Sequence, residues 1–140
     1  MNVVFLGPPG SGKGTQAKGV ADKFKLTHLS TGDAFREAIN GETELGKEIK
    51  SFVVAGKLVP DELVSKVVFE KIGSLNNKGF LLDGFPRTVD QAKALELYSK
   101  ANNISVEAIV FFDVAFLRGI AFFFVGVENK LSCILIGYYG

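Results

Sequence analysis

Residues 2–15, NVVFLGPPGSGKGT, decide how this chain folds. Asn2–Leu6 is a short apolar run bounded by Gly7 and two prolines, the pattern of a buried parallel strand. From Lys13 the apolar positions become Ala17, Val20, Ala21 and Phe24, a spacing of 3, 4 and 7 that lines one face of a helix. Strand, glycine loop and helix therefore follow one another without a spacer. Glycines at 7, 10, 12 and 14 let the backbone curl so that successive N–H groups and the helix N-terminus point at one anion, and Lys13 adds a full positive charge. Ser11 and Thr15 each offer a hydroxyl. Gly14 stands where most such loops carry the serine or threonine that binds magnesium, which marks a subclass.

Working outward, Ser30 or Thr31 is placed to cap a helix whose apolar face is Ala34, Phe35 and Ala38. Leu45, Ile49, Phe52 and Val53 mark a second helix, ended by Gly56. Pro60, Asp61 and Glu62 suit the first turn of a third, because proline wastes no hydrogen bond there and acids complement the helix dipole. Its face is Val64, Val67, Val68 and Ile72. Asn76, Asn77, Lys78 and Gly79 form a turn into a strand over residues 80–82. Thr88 then opens a helix with Gln91 three residues on, a capping-box spacing, and Ala92, Leu95 and Tyr98 form its buried side. Residues 108–114 read as another apolar strand. Strands alternating with helices imply an α/β fold with a mostly parallel sheet, because parallel neighbours need a crossover of about a dozen residues or more.

At 140 residues the chain can enclose one hydrophobic core. Sixteen basic against 15 acidic residues leave no broad basic face for nucleic acid. Cys133 is the lone cysteine, so no intramolecular disulfide forms, and one histidine leaves no zinc site to propose. His28 and Cys133 belong to no motif and are read as structural. Residues 1–6 lack the n- and h-regions of a signal peptide, and the apolar runs 119–127 and 131–139 fall short of the roughly 18 residues of a membrane span. A soluble, cytoplasmic protein is expected.

Three further clusters accompany the loop. They are Ser30-Thr31-Gly32-Asp33 with Arg36, Leu58-Val59-Pro60-Asp61, and Asp83-Gly84-Phe85-Pro86-Arg87 with Gln91. In this order, with the loop, they resemble adenylate kinases over residues 1–114. The resemblance implies a P-loop, doubly wound parallel sheet with helices on both faces and an inserted monophosphate-binding subdomain at about residues 31–60. It implies reversible phosphoryl transfer from Mg-ATP to AMP, giving two ADP, by a monomer. Lys13 and the loop residues Gly10, Ser11, Gly12, Gly14 and Thr15 would hold the ATP phosphates, with Lys13, Arg36 and Arg87 as the catalytic cations. Arg36 and Arg87 would clamp the AMP phosphate, as guanidinium forks suit phosphate oxygens. Thr31, Gly84 and Gln91 would contact the AMP base or its surroundings, Leu58 and Val59 would line its pocket, and Asp33 and Asp83 would order water around Mg2+. UMP and CMP kinases share the glycine loop and the Gly-Phe-Pro-Arg cluster, but Thr31, where they usually carry alanine, favours AMP.

Residues 115–140 match no motif of that family and are expected to be an unassigned apolar tail on a core truncated at its C-terminus. The stretch from Val114 to Ile120 is too short for a helical crossover, so the first tail run does not easily add a parallel strand. Two readings stay open, a hairpin with residues 131–136 around residues 128–130, and an aggregation segment at Phe122-Phe123-Phe124-Val125 if it is left unburied. Of three arginines, two are assigned to the AMP phosphate, so slow transfer is expected, with a nucleotide-binding chain that transfers nothing as the alternative.

Overall fold

The computed structural model describes residues 1–8, 11–112, 120–127 and 130–137, the last two segments through their backbone pairing. Four parallel strands, β1 (Asn2–Leu6), β2 (Thr27–Ser30), β3 (Phe80–Asp83) and β4 (Ala108–Phe111), lie in the order β2-β3-β1-β4. Two more, β5 (Ile120–Val127) and β6 (Lys130–Gly137), continue the sheet antiparallel beyond β4. Of the two readings left open for the tail, the structure has the hairpin, with Ile120 opposite Gly137 and Val127 opposite Lys130.

Helix α1 (Lys13–Phe24) packs on one face of the sheet, where Ala17 and Ala21 meet Val3, Phe5, Leu81 and Val110. The other face carries α4 (Asp61–Ser74) and α5 (Val89–Ala101), whose Val64, Val68, Ile72 and Leu95 close over Val4, Phe80 and Leu82. Alternate residues of β1 and β3 thus enter opposite clusters, as a strand buried on both faces requires. α4 is apolar on two sides. Its Leu63 and Val67 turn away from the sheet to meet Ala34 of α2 (Thr31–Asn40) and Ile49 of α3 (Glu44–Val54). The α2–α3 pair is thus fastened to the sheet through α4.

β2 has no counterpart among the strands expected from sequence. Thr-His-Leu-Ser has neither a continuous apolar run nor a deep core face, and it is extended because β3 offers a free edge, in the register Thr27 to Phe80 and Ser30 to Asp83. Three positions expected on buried helix faces lie outside them: Phe24 and Val53 are about half exposed, and Ala92 is exposed. Each sits at the rim of its apolar arc, where the partner surface ends. The strand expected over residues 108–114 is β4, which ends at Phe111, and residues 113 and 114 lie outside the described residues. β3 runs one residue further than expected and carries Asp83 to the sheet's edge.

The sheet order decides where a ligand can bind. The chain leaves β1 through α1 toward β2, whereas it leaves β3 through α5 in the opposite direction to β4. Diverging connections open a crevice beyond the carboxyl ends of these adjacent strands, where ligands bind in open α/β sheets.

Gly46, in the first turn of α3, makes the closest of the helix approaches, since a Cβ there would overlap the Ala38 carbonyl of α2. Gly46→Ala is expected to cost about 1–3 kcal/mol through overpacking, read as a lower midpoint of denaturant unfolding. A variant as stable as its parent would contradict this packing.

Candidate functional site

At the end of β1 the chain enters the glycine loop. Gly7 has a positive φ of 153°, which side chains rarely adopt, and a Cβ on it would collide with the backbone carbonyl and Cβ of Phe112, so only glycine lets the loop leave the sheet beside β4. Gly12 takes a left-handed φ of 80° and serves as N-cap of α1 without a side chain to offer. Helices α2, α3 and α5 differ, because Ser30, Thr43 and Thr88 accept from the amides of Asp33, Gly46 and Gln91. α1 also has no acidic residue in its first turn. Its N-terminal amides are left open to an external anion, which the positive end of the helix dipole favours. Among the described residues the hydroxyl of Ser11 is buried without a hydrogen-bond partner, as a donor awaiting such an anion would be. Gly10, one of the expected ligands, lies outside the described residues.

The register of the sheet brings Asp83 to the same crevice. Ser30 and Phe5 both lie opposite Asp83 across the two ladders, so the ends of three strands are level. Asp83 is 8% exposed, and its two carboxylate oxygens are divided between two partners. Lys13 Nζ donates to Oδ1 at 2.5 Å, and His28 Nε2 lies 3.0 Å from Oδ2. Burial pushes the Asp83 carboxyl up, but the Lys13 and His28 hydrogen bonds outweigh it and hold the group below its ordinary value. The reading of His28 as a structural residue without a motif partner is therefore corrected: it flanks the site. No local signal marks it, because His28 reaches Asp83 only once β2 pairs with β3.

Gly84 links the next motifs. Its φ is 88°, which favours glycine, and a Cβ there would displace the Arg87 guanidinium from its present place. Its carbonyl accepts from Arg87 Nε at 2.7 Å and from Thr31 Oγ1 at 3.2 Å. Spending Nε on the carbonyl fixes the plane of the Arg87 fork and leaves its two terminal nitrogens for another acceptor. Gln91 is buried, with Oε1 accepting from the Arg87 backbone N–H at 2.7 Å. Its Nε2 donates to Asp61 at 2.9 Å. Asp61, expected to complement a helix dipole and placed within the Leu58-Val59-Pro60-Asp61 cluster without a contact of its own, is thus bonded to Gln91. Nothing in the local sequence signals that contact, which joins residues 30 apart.

Leu6, Gly7, Pro8, Lys13, Gly84 and Arg87 share the lining of one cavity of about 480 Å³. A slightly larger groove, about 520 Å³, runs past Asn2, Phe80 and Glu107 at the opposite ends of the strands, away from the glycine loop. Arg36 is not among the residues lining the loop cavity. It is exposed and paired with Asp33 one turn earlier in α2, and the Arg36 and Ser30 hydrogen bonds hold the Asp33 carboxyl below its ordinary value. Leu58, expected in a pocket, is 94% exposed, while Val59 packs against the core beside Phe35. No helix among the described residues is long and apolar enough to cross a membrane.

A family model described as adenylate kinase matches residues 5–118. An adenylate kinase of Clostridium tetani (strain Massachusetts / E88) is 50% identical over 115 residues, covering 81% of this chain and 53% of the relative. One of Staphylococcus aureus (strain Mu50 / ATCC 700699) is also 50% identical over 115 residues, covering 81% and 54%. One of Enterococcus faecalis (strain ATCC 700802 / V583) is 50% identical over 111 residues, covering 79% and 51%. The chain spans about half the length of the curated relatives it matches.

The depressed Asp83 carboxyl sets a pH signature. A folded-state pKa below the unfolded value stabilises the fold above the unfolded pKa of about 3.9 and is lost as pH falls through the folded value. Asp83→Asn is expected to destabilise the chain at pH 7 by about 1–3 kcal/mol. That gap should close as the pH is lowered toward about 2, measured by denaturant unfolding of both proteins. A gap equal at both pH values would contradict the ion-paired carboxylate.

Proposed function

The chain belongs to the adenylate kinase family, and from that premise we propose that the protein transfers the terminal phosphoryl group of Mg-ATP to AMP, reversibly, giving two ADP. The observation that carries the proposal is the shared cavity, in which the loop cation Lys13 and the fork of Arg87 line one space. A donor phosphate chain on the loop and an acceptor phosphate on Arg87 would meet there. Transfer forms a bond from an AMP phosphate oxygen to the γ-phosphorus and breaks the bond to the bridging oxygen of the β-phosphate, releasing ADP on each side. No protein atom enters the covalent chemistry, so the chain's contribution is alignment and positive charge.

In this reading the amides of residues 10–15 and Lys13 bind the ATP phosphates. Asp83 keeps Lys13 at the mouth of the loop. Arg87 grips the AMP phosphate, joined by Arg36, which is exposed and free to swing from Asp33. Thr31 and Gln91 serve the base, and Leu58 and Val59 cover it as α2 and α3 approach, with residues about 31–60 acting as the monophosphate-binding subdomain. Magnesium enters with the substrate. Among the described residues no group of three or more His, Cys, Asp or Glu side chains is placed to chelate it. When ionised, Asp33 and Asp83 accept hydrogen bonds and donate none, which suits hydrogen bonds from metal-bound water. The proposal includes a cytoplasmic monomer.

ADP formation from Mg-ATP and AMP by the purified chain is the test. With two of three arginines committed to AMP, turnover is expected to be slow. It should require AMP rather than UMP or CMP, and fall about 10²–10³-fold in Lys13→Ala. Arg87→Ala should weaken AMP binding by about 10–100-fold, the loss of a charge-assisted bond. Binding of both nucleotides without ADP would select a chain that holds nucleotides and transfers nothing. A folded chain that binds neither would overturn the proposal.

A further inference from the structure

Asp61 is the acid whose contacts the phosphoryl-transfer reading leaves unused. It begins α4, yet both its oxygens point to the start of α5: Oδ2 accepts from Thr88 Oγ1 at 2.9 Å and Oδ1 from Gln91 Nε2 at 2.9 Å. Thr88 Oγ1 in turn accepts from the Gln91 backbone N–H at 3.1 Å, and Gln91 Oε1 accepts from the Arg87 backbone N–H at 2.7 Å. Gln91, only 4% exposed, is thereby held from its main chain and from both ends of its amide.

The donors and acceptors allow this amide one orientation. An ionised carboxylate only accepts, and a backbone N–H only donates. A flipped Gln91 would set Oε1 against the Asp61 carboxylate and its NH2 against the Arg87 N–H, losing two buried hydrogen bonds and creating two like-facing contacts. With one N–H committed to Asp61 and one lone pair to Arg87, a single donor on Nε2 and a single acceptor site on Oε1 remain.

We propose that Asp61 is a positioning residue that locks the Gln91 amide in the orientation complementary to a base carrying an exocyclic amine beside an unprotonated ring nitrogen. The inference rests on the reading of Gln91 as a contact of the acceptor base. A 6-aminopurine donates its amine hydrogen to Oε1 and accepts from Nε2 at its ring nitrogen. A 6-oxopurine reverses both groups, so its ring N–H faces the Nε2 donor and its carbonyl faces Oε1. The locked amide cannot turn to suit it. Asp61 therefore confers selection between amino and oxo bases without touching either.

The test is equilibrium binding of AMP and IMP to the purified chain and to its Asp61→Ala and Asp61→Asn variants, with folding checked by circular dichroism. The unsubstituted chain is expected to prefer AMP by about 100-fold or more, since the wrong base leaves buried groups unpaired. Asp61→Ala should lose about tenfold in AMP affinity and bring the preference below about tenfold, because the freed amide rotates. Asp61→Asn keeps an acceptor opposite Nε2 and should recover most of the preference. An unchanged preference in folded Asp61→Ala would overturn the lock, as would an Asp61→Asn variant as unselective as the alanine. A nucleotide-free measurement separates this inference from the proposed function. In the NMR spectrum of the unsubstituted chain, the Gln91 ε2 proton facing Asp61 should exchange with solvent at least about tenfold more slowly than its geminal partner. Equal exchange would refute the lock whether or not AMP binds, whereas protection without AMP binding would leave the lock in place and count against the function.

Discussion

The buried carboxylate of Asp83 is where sheet, loop and charge meet. It sits at the last residue of β3, level with the ends of β1 and β2 because the parallel register allows no other placement. Being largely withdrawn from water, it must be paired, and its partners come from two other elements: Lys13 from the first turn of α1 and His28 from β2. One side chain therefore ties the loop's cation to the crevice. An unpaired Lys13 would have water as its best partner and no reason to remain over the loop.

From Asp83 the chain proceeds directly into the second half of the site. Gly84 turns with a left-handed φ, its carbonyl collects Thr31 and Arg87, and four residues past Arg87 the Gln91 amide closes onto Asp61. Of the four buried polar or charged residues among the described ones, Thr31, Asp83 and Gln91 belong to this path and only Ser65 of α4 does not. Polar groups are tolerated inside a fold only when hydrogen-bonded, so their concentration at one end of the sheet is itself a mark of function. α4 supports the arrangement mechanically. It presents one apolar side to the sheet and another to α2 and α3, while its first residue, Asp61, reaches α5.

Much of this was legible in the amino-acid sequence wherever spacing alone dictates structure. The strand–loop–helix opening, the four valine and isoleucine positions of α4 and the Thr88 cap follow from local periodicity and capping chemistry. β2 was not legible, because Thr27–Ser30 owes its extended form to β3, which lies some 50 residues away in the chain. His28 went unread for the same reason, having no role until that pairing sets it beside Asp83. Asp61 was assigned to the helix dipole because its bonds to Thr88 and Gln91 depend on how α4 and α5 pack, not on any local motif. Phe24, Val53 and Ala92 show the limit of a periodic arc, which marks the direction of burial and not where the covering surface ends.

In the proposed function the loop and the Arg87 cluster serve one continuous space spanning two nucleotides. Calorimetric titration of the purified chain with a dinucleoside polyphosphate, two adenosines joined through a phosphate chain, tests it most directly. The account predicts one molecule bound per chain, displaced by ATP and by AMP added separately, with affinity lost in Lys13→Ala and in Arg87→Ala alike. Binding that only one of the two nucleotides displaces, or that only one of the two substitutions weakens, would contradict it.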